Sequence, residues 1–379
     1  MDALILSCST GGGHNACGKA VKEELELRGH NVVMMDPYDL VSSTLSALIG
    51  NVYIKMVQHS TGLFGFIYKL GSLYRKLPFK SPVYYVNKKP AQRLGEYIDK
   101  HNFDAVIMPH LFPAELITYL KKEGHKLPAT YFIATDYVCI PFTEETNCDY
   151  YIIPHKNLSL DFIKRGISED KLVPLGIPVS SCFDVPIDKL KAKKRLKLNT
   201  DIRYHLFASG SMGAGNMVNT FKSLSSYVES TDDEGLIVIC GNNTKLYKKL
   251  KNLSGSDRVR IITTTNHMAE YISACESFIT KPGGLSSTEG AVIGTKMLHY
   301  RPIPGCEEYN MHFFADKGLS VAINNDSQLI SVLKTINQDK NTETIKDKES
   351  PDTGVINRNA RVDVCDFIEN NMTEQVNKH

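Results

Sequence analysis

The sequence has 379 residues, 42% of them hydrophobic and 23% charged, with a formal net charge of +2. This length predicts two domains, and the composition is typical of a soluble globular protein. The small net charge argues against nucleic acid as the main partner, because duplex-binding proteins carry a large basic excess.

The cysteines and the apolar runs indicate where the protein works. The nine cysteines are scattered, without the close spacing of a zinc or redox motif, which fits a reducing compartment. No apolar run reaches the roughly 18 residues that span a bilayer. The first apolar run lacks a preceding basic region, so it predicts a strand instead of a signal peptide. We therefore expect a cytoplasmic protein that associates peripherally with the inner face of the cell membrane.

The chain opens with a βαβ pattern. Ala3–Cys8 is an unbroken apolar run typical of a buried parallel strand, His14–Arg28 has helical spacing, and Val32–Met35 predicts a second strand. The turn between them lacks the GxGxxG dinucleotide fingerprint, which argues against NAD binding. His14 follows Gly12 and Gly13 at the strand end, where open α/β sheets bind ligands; its alternative role is to cap the helix.

The stretch Leu40–Gly95 has an unusual charge pattern: it contains no Asp or Glu, and its basic residues are interleaved with aromatic ones. Such residues suit an anionic membrane surface. They also suit single-stranded nucleic acid, or a solvated helix pair whose aromatic side chains pack on the sheet. The missing acidic residues favour the membrane. The candidate membrane-contacting side chains are Lys55, Phe64, Phe66, Lys69, Tyr74, Arg75, Lys76 and Lys80.

Three further strands complete the first half: Phe103–Pro109, Ala129–Ala134 and Tyr150–Pro154. Asp136 follows the second of these, so we expect it at the same sheet edge as His14, unless it only caps a loop. The Pro- and Gly-bounded segment after residue 171 marks the domain boundary. The predicted domains are residues 1–176, residues 177–358, and a helix in 359–379 that packs back on the first domain.

The second half repeats the pattern and contains two glycine turns after strands. One follows Tyr204–Ala208, and the other opens a helix within Lys281–Asn310. A glycine turn that opens a helix offers free N–H groups to a phosphate, although a lone Pro-Gly-Gly is more often a surface turn. Carboxylate and amide groups nearby suit the hydroxyls of a nucleotide sugar. The donor-binding candidates are Gly210, Ser211, Gly213, Gly283, Gly284, Ser286, Ser287, Glu289, Glu307, Glu308 and Asn310.

The stretch Lys281–Asn310, with STGGGHNA near the N-terminus and ATYFIATDY in the middle, resembles the family 28 glycosyltransferases. That family includes the peptidoglycan GlcNAc transferase and the monogalactosyl- and diglucosyl-diacylglycerol synthases. The resemblance implies an α/β fold of two Rossmann-like domains, the GT-B architecture, with the active site in the interdomain cleft.

The resemblance also implies roles for individual residues. The Gly-Gly turn would contact the diphosphate, Glu289 the ribose, and Glu307 with Glu308 the sugar. His14 would lie near the acceptor hydroxyl, with Gly12 and Gly13 beside it. His14 is the first candidate for the general base, and Asp136 is its rival or partner.

The implied function is inverting transfer of a hexose, glucose or galactose, from a UDP-sugar to a membrane lipid, with diacylglycerol as the leading acceptor. No metal cofactor is expected, because oriented N–H groups can stabilise the leaving diphosphate. Three alternatives remain: GlcNAc transfer to a lipid-linked peptidoglycan precursor, a nucleotide-sugar 2-epimerase, and an inactive protein that senses nucleotide sugars.

Overall fold

The computed structural model describes residues 1–8, 12–42, 87–185, 187–210, 217–338 and 354–376. Internal contacts divide the chain into two compact units. Unit 1 comprises Met1–Ser181, Pro304–Cys306 and Asn357–His379, and unit 2 comprises Cys182–Ile303 and Glu307–Ile356. The chain thus changes unit five residues after the boundary that the sequence suggested. The candidate membrane residues from Lys55 to Lys80 lie outside the described residues, as do Ser211 and Gly213.

Twelve strands are assigned within the described residues, six in each unit, and all of them pair in parallel. The strands of unit 1 are β1 (Asp2–Leu6), β2 (Asn31–Met35), β3 (Ala105–Met108), β4 (Ala129–Ile133), β5 (Tyr150–Ile152) and β6 (Leu172–Val173). Those of unit 2 are β7 (Arg203–Ala208), β8 (Glu234–Ile239), β9 (Val259–Ile262), β10 (Ser277–Thr280), β11 (Lys296–Tyr300) and β12 (Ser320–Ile323).

Helices connect these strands. The α-helices of the described residues are α1 (Gly12–Leu27), α2 (Lys88–His101), α3 (Leu111–Lys122), α4 (Ser159–Lys164), α5 (Lys189–Arg195), α6 (Met217–Glu229), α7 (Thr244–Leu253), α8 (Met268–Ala274), α9 (Gly284–Ile293), α10 (Cys306–Asp316), α11 (Asp326–Gln338) and α12 (Ala360–Val376). None of the helices in the described part of the chain is both long and apolar enough to cross a membrane.

The sheet of unit 1 has the strand order β2-β1-β3-β4-β5-β6. Its central strands are fully buried because they are uniformly apolar, as Ala3–Leu6 shows. Helix α1 buries Cys17, Ala20, Val21 and Leu25 on one face, at the spacing that the sequence predicted. The chain reverses its direction across the sheet between β1 and β3. Ligands bind at such a switch point in open α/β sheets, beside the carboxyl ends of the strands.

The sheet of unit 2 has the order β12-β11-β10-β7-β8-β9, which is the strand order of a dinucleotide-binding fold. Its switch point lies between β7 and β10, the two strands that precede the glycine turns. The prediction of two Rossmann-like α/β domains is therefore confirmed, and each switch point coincides with a glycine turn singled out in the sequence.

Some elements differ from the sequence prediction. Leu172–Val173, read as a crossing segment, is a short edge strand. Residues 306–310, to which the sequence analysis assigned no element, form the start of α10. The C-terminal helix α12 contacts α1: Arg361 Nε donates to Glu24 Oε2 at 2.9 Å, and Arg28 Nη1 donates to Glu369 Oε2 at 2.5 Å. Helix α12 belongs to unit 1.

A buried polar chain joins three neighbouring strands of unit 2. His205 on β7 lies with Nδ1 2.8 Å from Ser277 Oγ on β10, and with Nε2 2.5 Å from Glu234 Oε2 on β8. The side chains of His205 and Glu234 are 1% and 2% exposed. Because all three groups are out of water, each depends on the others for its hydrogen bonds.

Replacing Glu234 with alanine should lower the free energy of unfolding by about 3 kcal/mol, because it leaves the buried His205 without its partner. Urea denaturation followed by circular dichroism measures this. The matched control is Glu270→Ala, which removes a His267–Glu270 pair whose histidine is 66% exposed. The control should cost less than about 1 kcal/mol. Equal losses in the two variants would show that the buried chain does not stabilise the sheet.

Candidate active site

His14 lies in the first turn of α1, just beyond the carboxyl end of β1. Its Nδ1 atom is 2.9 Å from the main-chain oxygen of Pro109 and 2.8 Å from Oγ1 of Thr135. A carbonyl oxygen can only accept, so Nδ1 carries the proton of the neutral ring and donates it to Pro109. The lone pair therefore lies on Nε2, which is the atom that can take a proton from a substrate.

The surroundings keep this imidazole neutral. Burial lowers the pKa of His14, and the charge of Asp136 and the hydrogen bond to Pro109 oppose that effect in part. The ring of His110 packs edge-on against His14 with 4.4 Å between centroids. Burial, together with the neighbouring His14, holds the pKa of His110 well below its usual range. Near pH 7 His14 is therefore a neutral base.

His14, Thr135 and Asp136 line one cavity, whose other walls are largely apolar. Apolar walls disfavour the charged form of a histidine. The strongest local interaction of the ring is then with a hydroxyl or carboxylate that is held close to it. This arrangement suits removal of a proton from a neutral acceptor. The remaining lining residues are Pro109, Leu111, Phe132, Ala134, Val138, Ile140, Thr143 and Phe162.

The second group of candidates lies in unit 2, where β10 ends at Thr280 and α9 begins at Gly284. Gly283 is the N-cap and provides no capping side chain, and the first turn of α9 has no acidic residue. The first intrahelical hydrogen bond runs from the N–H of Ser287 to the oxygen of Gly283, at 3.0 Å. The N–H groups of the three preceding helical residues therefore point out of the helix end, where they can bind an anion.

Gly283 itself indicates a close-approaching ligand. Its φ is −70°, which any residue can adopt. A Cβ atom added there would meet no heavy atom of the described residues within 4 Å. Neither the backbone geometry nor the packing of the described residues requires glycine at this position. Close contact between the main chain and a ligand would require it. Gly210, at the end of β7, differs: its φ of +65° favours glycine directly.

Glu289 carries an isolated carboxyl group one turn further along α9. It is half-buried, and among the described residues it has no hydrogen-bond or ion-pair partner. Burial raises its pKa to about 8, with no neighbouring charge offsetting the effect. A buried carboxyl group without a partner is unfavourable by itself, so its position suggests that a ligand supplies hydroxyl donors.

Comparisons with known proteins find relatives over most of the chain. A family model described as monogalactosyldiacylglycerol synthase matches residues 14–179. A processive diacylglycerol beta-glucosyltransferase of Bacillus pumilus is 25% identical over 341 residues, covering 89% of this chain and 87% of the relative. Together these matches support a family 28 glycosyltransferase.

Solved structures show the fold of this transferase to be GT-B. A glycosyltransferase of Rickettsia africae has a TM-score of 0.59 at 15% identity, covering 97% of this chain and 98% of that one. A UDP-GlcNAc 2-epimerase of Neisseria meningitidis bound to UDP-GlcNAc has a TM-score of 0.60 at 13% identity, covering 98% and 100%. The fold is thus common to transferases and epimerases and does not by itself distinguish them.

Two of the predicted donor-binding residues, Ser287 and Asn310, have side chains that bind within the protein. Ser287 Oγ is 3.0 Å from His299 Nε2, and both side chains are fully buried. Asn310 is also fully buried and donates from Nδ2 to the oxygen of Pro282 at 2.9 Å. Successive helical residues point about 100° apart, so Ser286 lies half-exposed while Ser287 faces the sheet. Ser287 and Asn310 therefore hold the turn in place.

The remaining candidates lie at the carboxyl edges of their sheets. Gly12 and Gly13 share the first turn of α1 with His14. Glu307 accepts a hydrogen bond at Oε2 from the N–H of Ile303, at 2.6 Å, which fixes the turn before α10. Glu308, in the same helical turn, is exposed. The two acidic side chains thus start α10 together but have different surroundings.

Sequence reasoning missed Thr135 as a partner of His14. The two residues are 121 positions apart, and their hydrogen bond depends on β1 and β4 ending at the same sheet edge. The signal was present in the Thr-Asp pair after β4, of which only the aspartate was singled out. Lys281, the residue before the Pro-Gly-Gly turn, was also overlooked.

Proposed function

We propose that the chain transfers a hexose, glucose or galactose, from a UDP-sugar to diacylglycerol and gives a β-glycosyl diacylglycerol. The hydrogen bonding of His14 carries this proposal most directly: it leaves a neutral base with a lone pair on Nε2. Support for the acceptor comes from the relatives, which are named as diacylglycerol glucosyltransferases, and from the family model over the unit that contains His14.

The proposed reaction is a single displacement at the anomeric carbon. The lipid hydroxyl attacks C1 of an α-linked donor, and its proton passes to Nε2 of His14. The C1–O bond to the diphosphate breaks, and UDP leaves with the electron pair. Free N–H groups at the start of α9 stabilise the charge that develops on the diphosphate. The product is β-linked because the nucleophile enters opposite the leaving group.

Glu289 has a binding role in this scheme. Its carboxyl group would accept hydrogen bonds from the ribose hydroxyls of UDP, next to the turn that binds the diphosphate. Glu307 and Glu308 would contact the hexose. Glucose and galactose differ at one stereocentre, so two carboxylates that bind hydroxyls do not by themselves select one sugar.

The acceptor requires contact with a lipid surface. Within the described part of the basic stretch, α2 exposes Lys88, Lys89 and Arg93 and buries Pro90 and Leu94 on its opposite face. Basic side chains near a membrane each contribute about 1 kcal/mol of attraction to anionic lipids. We propose that this stretch brings the protein to an anionic membrane surface.

Transfer from radiolabelled UDP-glucose and UDP-galactose to diacylglycerol tests the function. We expect one donor to give a labelled lipid, with faster transfer in anionic than in neutral vesicles. Label that stays in water with both donors would contradict the proposal. In that event, labelled lipid from UDP-GlcNAc with a lipid-linked peptidoglycan precursor would support the GlcNAc transferase, and an isomerised nucleotide sugar would support the 2-epimerase.

A further inference from the structure

Lys281 follows β10 directly and begins the turn that leads into α9. Its main-chain oxygen accepts a hydrogen bond from the N–H of Gly283 at 2.8 Å, so the residue is an integral part of the turn. The side chain is only 9% exposed. A lysine that is nine-tenths buried is rare unless an anion or a set of acceptors balances its charge.

No such balance is found among the described residues. The side chain of Lys281 has neither a hydrogen bond nor an ion pair within 4.0 Å there. Burial lowers the pKa of Lys281, and the more distant charge of Glu307 only partly opposes the shift. One oxygen of Glu307 is already bound to the N–H of Ile303. The ammonium group of this largely buried residue thus has no acceptor among the described residues.

The free N–H groups of α9 begin three residues further along the chain. A helix start without an acidic side chain or a cap, beside an unpartnered ammonium group, provides two kinds of donor for one anion. A diphosphate has enough oxygens to accept from both. We propose that Lys281 binds the diphosphate of the donor and neutralises its charge, both in the bound donor and as the leaving group departs. This inference rests on the proposed function.

Calorimetric binding of UDP, uridine and inorganic pyrophosphate to wild type and to Lys281→Met tests it. Methionine keeps the length and apolar stem of lysine and removes the charge. We expect Lys281→Met to bind UDP and pyrophosphate about 10- to 100-fold more weakly, with uridine affinity within about twofold of wild type. Lys281→Arg should retain part of the affinity. The matched control is Lys296→Met, which removes an exposed lysine at the amino end of β11. It should leave the affinities for all three ligands unchanged.

Thermal unfolding separates a binding role from a structural one. If Lys281 binds an anion, Lys281→Met should be at least as stable as wild type, because it relieves an uncompensated buried charge. Lowered stability, UDP and pyrophosphate affinities within about threefold of wild type, or equal losses for UDP and uridine would each overturn the inference. If wild type binds pyrophosphate but neither uridine nor UDP, the proposed donor is wrong. The proposal of an anion site at Lys281 would still hold.

Discussion

Replacing His14 with alanine should lower kcat about 10²- to 10⁴-fold, because transfer then proceeds without a positioned base. UDP affinity should stay within about twofold of wild type, since His14 belongs to unit 1 and the donor groups to unit 2. Transfer assays measure kcat, and calorimetry measures UDP binding. His14→Ala with nearly full turnover would show that another group takes the proton.

The pH profile separates the roles of His14 and Asp136. Because burial lowers the pKa of His14 in the free protein, the acid limb of kcat/KM should lie below pH 6.5. Asp136 raises that pKa, so Asp136→Asn should move the acid limb to lower pH while keeping measurable turnover. If Asp136 is the base instead, Asp136→Asn should be inactive and His14→Ala should keep its turnover.

Thr135→Val removes the second hydrogen bond of the His14 ring and keeps the size of the side chain. It should lower kcat less than His14→Ala does, because Pro109 still fixes Nδ1. An acid limb at the same pH as in wild type, together with a lower plateau of activity, would mark Thr135 as a positioning residue. Thr118→Val, in the middle of α3, is a control that also removes a buried threonine hydroxyl of unit 1.

The fold could be predicted from the sequence because parallel strands that are buried on both faces appear in it as unbroken apolar runs. Ala3–Leu6 and Ala105–Met108 are such runs, and both were recognised. The edge strands β6 and β12 were missed, because they are short and only partly buried at most positions. Edge strands have one neighbour and less apolar surface to signal them.

The position of the candidate sites was predictable for a topological reason. Glycine turns after β1, β7 and β10 flank the switch points of the two sheets, so the location followed once the strands were known. The orientation of individual side chains was harder to predict from the sequence. Whether Ser286 or Ser287 faces out depends on how α9 is rotated against β11. The buried His299, which is hydrogen-bonded to Ser287, lies across that interface.

Lys281 was overlooked for a different reason. In the sequence it is one of many lysines in a chain of nearly balanced charge. Only its burial, and its lack of a partner among the described residues, distinguish it. A charged residue directly before a glycine turn at a strand end is the signal that would have found it.

Replacing Glu289 with glutamine should weaken uridine binding about 10-fold or more, because charge-assisted hydrogen bonds to the ribose become neutral ones. The same variant should be more stable than wild type at pH 8.5. A carboxyl group whose pKa is raised to about 8 destabilises the fold once the pH exceeds its unfolded value, and the penalty grows up to the folded pKa. Glutamine removes that penalty. Calorimetry and thermal unfolding measure the two effects.

The pH dependence of uridine binding gives the sharpest test. Below pH 8 the free protein holds Glu289 mostly protonated, and the carboxylate is the form that accepts from both ribose hydroxyls. Uridine affinity of wild type should therefore rise between pH 6.5 and 8.5 and stay flat in Glu289→Gln. Uridine lacks phosphates, so Lys281 does not contribute. Glu229→Gln, at the end of α6, should behave as wild type. A flat wild-type profile with unchanged affinity in Glu289→Gln would remove Glu289 from the donor site.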